Sequence, residues 1–567
     1  MRNKKRFVAL MLAGLMVAGT ACGNGGSKNG GSGSKGENTV YNTFLNADPD
    51  SIDAQKGSDS YGNTVVNNVY EPLIRLVQND DLTLKPEAAA AKEWKVSEDA
   101  MTYTFTLRDG LKWEDGQPLT AKDFEYGIKR TVDPKTGSGS SFLLADIANF
   151  QEVNEGKAPL DKLGVKAIDD KTLEIKLGAP AQYFINIVPF RVCFPQRKDI
   201  VEKHGEQFGS EANTIVGCGP FKLTEWTHNS KLVLEKNPDY WNKDNVKLEK
   251  VNLRVITDTN TMMNAFQSGE VMSVSTNKPE WTSKFDKREG TKTEKIDIPA
   301  VDYFAVNHQD KLFKNKKVRQ AFNIALDREG FNETVLKGKS APAYFWVPKA
   351  ITIEDLKYRE MAGNPVKEMA DKLGDPKALL SEGLKELGMD PDPSKLEVSL
   401  IMTNSPDLKK YGEYFQQNFQ NKLGVKVKLE MMEWAILSGK INKGNYQMGY
   451  LAWTADYNHP SAMMSLFTSS ANAVRTGWKS DEYDKLIRDA AKEKDKNKQV
   501  ELYKKAEQIL ADETVIIPII SGTTNMYYQD YVKHINVNQF STAGFKDTYL
   551  EKNKITSSKW QAVTNYL

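Results

Sequence analysis

The stretch from Trp94 to Ile128 constrains the fold more than any other part of the chain. In Met101-Thr-Tyr-Thr-Phe-Thr-Leu107 apolar residues alternate with threonines at period two, the pattern of a strand with one covered face. Arg108-Asp-Gly110 turns the chain, and Trp113-Glu-Asp-Gly116 turns it again. Thr120 with Asp123 three residues on then opens a helix as a capping box, with Phe124 and Ile128 on its inward face. A strand feeding a helix through two tight turns is a mixed α/β beginning.

The same alternation of types continues downstream. Val251, Leu253 and Val255 alternate as a strand, and Val318, Phe322, Ala325 and Leu326 stand at helical spacing. Helical periods mark Leu379 to Leu387, Leu408 to Leu423, and the run with Leu502, Ala506, Ile509 and Leu510. Strand alternation marks Leu396-Val398-Leu400 and Val425-Val427-Leu429-Met431. Val515 to Ile520 is a buried strand whose Pro518 marks an edge or a crossover. Lys492 to Lys498 is expected to be the solvated face of a helix. Helix then strand, repeated, predicts α/β layers. A chain of 567 residues, 40% of them apolar, has material for roughly three domain-sized cores.

The amino terminus is a targeting segment. Met1-Arg-Asn-Lys-Lys-Arg-Phe7 carries four cations, an apolar run follows to Ala18, and Gly19-Thr20-Ala21 precedes Cys22, so residues 1–21 are read as a signal peptide. Gly23 to Gly36 is a Gly/Ser/Asn/Lys-rich tether. It contains Gly31-Ser-Gly-Ser-Lys-Gly36, which matches a dinucleotide fingerprint literally, but no strand leads into it and no amphipathic helix opens from it. Removing residues 1–21 takes away four cations and no acid and turns a net charge of +2 into −2. That balance does not suit nucleic acid or other polyanions. Cys193 and Cys218 stand in apolar, strand-like surroundings and leave a disulfide open.

The chemistry concentrates in Gly449-Tyr-Leu-Ala-Trp-Thr-Ala-Asp-Tyr-Asn-His-Pro460. Met448 to Trp453 is predicted as a buried strand, and Pro460 ends any ladder while holding His459 extended. Asp456 is left at the strand end beside Trp453. A carboxylate on an aromatic, low-dielectric wall suits an arriving ammonium; the alternative is an Asp that caps its own turn.

Trp453-Thr-Ala-Asp-Tyr-Asn-His-Pro460 resembles the segment of the oligopeptide-binding lipoproteins of ABC importers, family 5 of the extracellular solute-binding proteins, whose Asp receives the α-amino group of a peptide. Leu107-Arg-Asp-Gly…Trp113-Glu-Asp-Gly116-Gln-Pro-Leu-Thr-Ala-Lys-Asp-Phe124, Ile215-Val-Gly-Cys-Gly-Pro-Phe-Lys-Leu-Thr-Glu-Trp226 and Asn237-Pro-Asp-Tyr-Trp241 also resemble that family. The resemblance implies a periplasmic-binding-protein-like α/β fold of class II type, with two main lobes around a cleft plus an accessory third lobe. Lobe I would take residues 38–72, 183–295 and 518–567, lobe II, the accessory one, residues 73–182, and lobe III residues 296–517. Residues 22–37 would be a lipidated Cys22 and its tether, with an ordinary signal-peptidase site near Ala21 as the alternative. The resemblance implies ligand contacts at Asp456, Trp453, Ala452, Thr454, Ser60 and Tyr303. It adds Trp434, twenty-two positions before Asp456, for which core packing is the alternative. The partners implied are short peptides and the transmembrane subunits of an ABC permease. The chain is expected to be a monomer on the extracytoplasmic face of the cell membrane, of the Gram-positive lipoprotein type.

Catalytic patterns are missing from the sequence. His204, His228, His308, His459 and His534 show no metal-ligand spacing, and neither H-E-x-x-H nor G-x-S-x-G occurs. No enzyme, cofactor or metal is therefore expected. A receptor of the same fold for nickel, haem or a sugar, a peptide-pheromone sensor and a surface adhesin stay open as alternatives.

Overall fold

The computed structural model describes residues 39–57, 59–471, 473–540 and 542–551. The signal peptide, Cys22 and the tether lie outside them. β1 (Val40–Leu45) leads to α1 (Ser60–Val69), whose N-cap Asp59 accepts from Gly62 N–H. Val65 to Leu76, readable from sequence as helix or strand, divides between the end of α1 and a strand, Ile74–Gln78. β2 (Ala91–Val96) and β3 (Thr102–Leu107) follow, and β3 buries Tyr103, Phe105 and Leu107 while its threonines stay half-exposed, as period two requires. α2 (Ala121–Val132) opens with the expected capping box, Thr120 N–H donating to Asp123 at 2.7 Å, and buries Phe124 and Ile128. With β4 (Val165–Ala167) and β5 (Thr172–Lys176) these strands make an antiparallel sheet of order β2-β3-β5-β4. β6 (Phe221–Thr227), β7 (Lys231–Lys236) and β8 (Lys250–Val255) then return to β1, in the order β1-β8-β7-β6.

A third, seven-stranded sheet carries the site. Its strands are β9 (Ser273–Ser275), β10 (Thr291–Val306), β11 (Ser340–Pro342), β12 (Glu397–Thr403), β13 (Lys426–Met432), β14 (Met448–Thr454) and β15 (Ile516–Gln529), ordered β9-β15-β10-β14-β12-β13 with β11 also on β15. Two helices on this sheet matter below: α3 (Pro406–Leu423) between β12 and β13, and α4 (Trp434–Asn442) between β13 and β14. β10 and β15 are the long strands. They pair from Thr291–Gln529 to Ala305–Ile516, with a register shift between Asp297 and Val301, so the ribbon bends in its middle. The two faces of β10 belong to different cores. Val301, Tyr303 and Ala305 join the apolar cluster shared with the two four-stranded sheets, whereas Phe304 and Val306 join Phe415 and Phe419 of α3. Phe304 meets Phe415 edge-on at 4.9 Å, and burying such a ring contributes about 1.5–3 kcal/mol.

Three local expectations change. Lys492 to Lys498 is not one helical face: helix Asp481–Lys492 ends there and helix Lys496–Asp512 begins, because Asp495 accepts from Asn497 N–H and Lys498 N–H as a new N-cap. Cys193 lies in a 3-10 turn and Cys218 in a loop; both thiols are free and buried. Pro518 pairs with Tyr303, and β11 joins the opposite side of β15 only from Ile520, so the missing N–H falls where no neighbour needs it.

Candidate functional site

β14 has a neighbour on one side along its whole length and on the other side only at its start. Met448 to Thr454 pair with Val306 to Ala300 of β10, but β12 reaches only Met448 and Gly449. Gly449 lets α4 close over this start, since a Cβ there would stand 2.9 Å from Ile441 Cδ1. Beyond it, Tyr450 to Thr454 present a free edge. Ala455 N–H donates to Pro299 O at 2.7 Å, which fixes the phase of the antiparallel ladder. The backbone groups of Trp453 therefore face β10, and those of Ala452 and Thr454 face the open side. Both residues are exposed.

Asp456 ends this edge. It is half-buried, and among the described residues its carboxylate has no hydrogen-bond or ion-pair partner; burial pushes its carboxyl up to about 6. The turn after it is held by other groups. Asn458 and Thr352 exchange two bonds of 2.8 Å, Tyr457 shares a 3.0 Å bond with Ser461, and His459 bonds Ser461 and Gln499. Burial pushes His459 down to about 4, which keeps it neutral. Asp456 makes none of these turn bonds, in contrast to a turn cap. Trp453 is half-buried with its ring packed on the core, and its indole N–H has no partner among the described residues.

Across the strand end the chain brings a second element. Tyr183 stacks on Tyr457 at 5.9 Å and 10°, and on His459 at 5.8 Å. Its hydroxyl donates to Asp146 at 3.2 Å, and burial raises the Asp146 carboxyl above its ordinary range. On the opposite face of β14, Asp302 accepts from Tyr450, and burial pushes its carboxyl up to about 6.

The structure thus gathers Ala452, Trp453, Thr454 and Asp456 at one strand end. Trp434 is the first residue of α4 and is 58% exposed, with Ile436 at 56%, so the core-packing alternative does not describe it. Ser60 is exposed at the first turn of α1. Tyr303 corrects its expected place among the ligand contacts. It is 1% exposed and packs edge-on against Trp346 at 5.0 Å, because period two on β10 turns Val301, Tyr303 and Ala305 into the core. Asp146, Tyr183 and Asp302 were not singled out from sequence; their partners lie 37 to 148 positions away, and no local pattern announces them. A cleft of about 800 Å³ opens at the other edge of the sheet, lined by Lys295, Asp297, Ala341, Pro342, Tyr344 and Phe540 among others, and includes none of the strand-end residues. Among the described residues no group of three or more His, Cys, Asp or Glu side chains could hold a metal ion, and no helix is long and apolar enough to cross a membrane.

Known proteins share this fold. The model of bacterial extracellular solute-binding proteins, family 5, matches residues 85–474. The dipeptide-binding protein DppE of Bacillus subtilis is 36% identical over 487 residues, covering 86% of this chain and 87% of the relative. The unliganded open form of the periplasmic murein tripeptide-binding protein MppA superposes with a TM-score of 0.77 at 28% identity, over 92% of this chain and 99% of the other. Listeria monocytogenes OppA bound to peptide gives 0.66 at 30% identity, over 91% and 99%. The family model, the relative matched over most of its length and the likeness of fold agree: the chain belongs to family 5 of the bacterial extracellular solute-binding proteins.

Proposed function

We propose that this chain is the extracytoplasmic receptor of an ABC importer, that it binds short peptides through their backbone and α-amino group, and that it delivers them to a membrane permease. One observation carries the reading: a half-buried carboxylate ends a strand edge, and among the described residues the carboxylate has no cation and the edge's outward N–H and C=O groups have no neighbouring strand. An extended peptide added at Ala452 and Thr454 satisfies those groups without consulting side chains, which gives broad specificity. Its ammonium then reaches Asp456, while Trp453 and the exposed Trp434 offer aromatic walls. Lobes bounded as expected from the sequence would close around the ligand by bending β10 and β15. Relatives named for dipeptides, oligopeptides and peptide complexes support this reading. The chain acts in it as a monomer and not as an enzyme.

Calorimetry on four combinations tests it: the parent or the Asp456→Asn variant, each with a free or an N-acetylated peptide. Removing one partner of a desolvated charge pair costs on the order of 2–5 kcal/mol, so either change weakens binding roughly thirtyfold or more. The two losses must not add, because both delete one contact. Equal affinity of acetylated and free peptide for the parent, or full additivity, would remove Asp456 from the amine site.

The reading includes a lipid anchor on Cys22, motivated by Gly19-Thr-Ala-Cys22 and the tether behind it. Cys22→Ser is expected to release folded protein into the medium. A variant that partitions into detergent like the parent would refute the anchor.

A further inference from the structure

Asp302 lies one strand inside the free edge. β10 pairs Asp302 with Ala452 of β14, and Ala300 with Thr454. Because the backbone of Trp453 faces β10, Asp302 and Ala452 form a non-hydrogen-bonded pair, with Cα atoms about 4.5 Å apart and both side chains on one face of the sheet. Phe304 and Tyr450 share that face and are covered there by Phe415 and Tyr411 of α3. Toward the strand end the cover stops: Ala452 and Thr454 are exposed, and Asp302 is only half-buried.

The Asp302 carboxylate accepts one side-chain hydrogen bond, from the Tyr450 hydroxyl, and among the described residues no cation pairs with it. A carboxylate has acceptor sites for about four hydrogen bonds, so most of its capacity is unused. Burial raises Tyr411, as do the carboxylates of Asp302 and Asp407, so the covering helix brings a second acid close. The neighbouring cation, Lys410, pairs with Asp407 at 3.2 Å on the exposed side. Although burial lifts the Asp302 carboxyl to about 6, the group is ionised at pH 7.

The edge itself decides what can reach this charge. In the reading above, a peptide whose ammonium meets Asp456 enters at the end of β14 and runs back along its free edge, antiparallel to it. Thr454 and Ala452 turn their N–H and C=O groups outward, so the first and third peptide residues lie opposite them as hydrogen-bonded pairs with Cα atoms about 5.5 Å apart. Opposite residues share a face. The third side chain therefore lies on the face of Ala452 and Asp302, its Cα about 10 Å from that of Asp302, with only a methyl group between. A lysine ammonium stands roughly 6 Å from its Cα and a carboxylate oxygen roughly 3 Å from its own, and a charge-assisted bond adds about 2.8 Å. Together these span the gap, which a serine hydroxyl at roughly 2.5 Å from its Cα does not. The second side chain points to the other face, that of Trp453.

We propose that Asp302 receives the cationic side chain of the third peptide residue, so that the receptor favours lysine or arginine at that position. This rests on the peptide-receptor reading and adds to it a side-chain preference that backbone pairing alone does not supply.

Calorimetry with two ligand pairs tests it: Ala-Ala-Lys-Ala and Ala-Lys-Ala-Ala, each with its lysine free or Nε-acetylated. The parent is expected to bind free lysine at position three about tenfold more tightly than acetylated lysine, and to show no comparable difference at position two. D302N, whose amide oxygen still accepts from Tyr450, should bring the position-three ratio to about one, and D302E should keep part of it. A merely structural role would weaken both members of the pair alike and leave the ratio unchanged. Equal affinities at position three in the parent, an equal preference at position two, or a ratio that survives D302N would overturn the assignment; the parent pairs decide alone where D302N does not fold. If the parent binds none of the four, the peptide reading fails and this assignment falls with it.

Discussion

Asp53 and Asp456 are both carboxylates taken largely out of water, and the molecule treats them in opposite ways. Asp53 lies where α2 packs against the segment after β1. Arg130 donates to both its oxygens at 2.7 Å, and Gln55 N–H adds a third bond at 3.1 Å. Glu507 is closed in the same manner by Trp346 N–H, Val347 N–H, Tyr358 and Arg359, and Glu71 by Arg75, Tyr240 and Trp241. Asp456 has no such donors among the described residues. A buried charge closed from within belongs to the fold; one left open at a strand end is available to something that arrives. The comparison teaches that residue type and burial do not tell these carboxylates apart, whereas a missing counter-charge does.

The largest effect expected from that contrast is on stability. Asp53→Asn leaves Arg130 facing a neutral amide and is expected to lose about 3–5 kcal/mol of unfolding free energy, because breaking a buried pair strands its other charge. Denaturant titration of Asp53→Asn and Asp456→Asn side by side breaks or sharpens the comparison. The second variant should unfold at or above the parent's midpoint, having lost a desolvated charge and no hydrogen bond. If Asp456→Asn unfolds as early as Asp53→Asn, its carboxylate has a structural partner and the contrast fails.

That contrast was only partly legible in the sequence. Alternation in Thr102–Leu107, the Thr120–Asp123 box and the helical periods over residues 408–423 are local signals, and they place β3, α2 and α3 correctly because each element is decided within a few turns of chain. The Asp456 stretch was legible for the same reason: a strand, an acid and a turn stand in consecutive positions. Tyr303 went the other way because period two tells that alternate residues are buried but not which face meets the core. The run over residues 492–498 misled because a charged stretch looks alike on a helix face and at a break between helices; only Asp495 as an N-cap distinguishes them. Tyr183 was invisible, because its defining contact, the stack on Tyr457, lies 274 positions away in the chain.

The smallest effect, and the one most specific to the open carboxylate, is on pH. Burial pushes the Asp456 carboxyl up to about 6 from an ordinary value of 3.8. A raised acid binds its proton more tightly in the folded state than in the unfolded one. Its contribution to stability is therefore full below about 4 and is lost as pH rises through 6. Peptide binding runs the other way, since an ammonium needs the ionised form: affinity should be full above pH 6 and fall toward tenfold per pH unit below it, about tenfold between pH 7 and pH 5. Asp302, also pushed up to about 6, and the raised Asp146 titrate nearby, so subtraction is needed. The pH dependence of peptide affinity in Asp456→Asn, which keeps both neighbours, gives their share, and the difference from the parent isolates Asp456. Calorimetry in two buffers of different ionisation enthalpy supplies an independent count, because an ammonium that draws Asp456 back toward its ionised form must release a proton near pH 6. A parent that releases no more protons than Asp456→Asn, with the same affinity profile, would mean that the ammonium binds elsewhere on the strand edge.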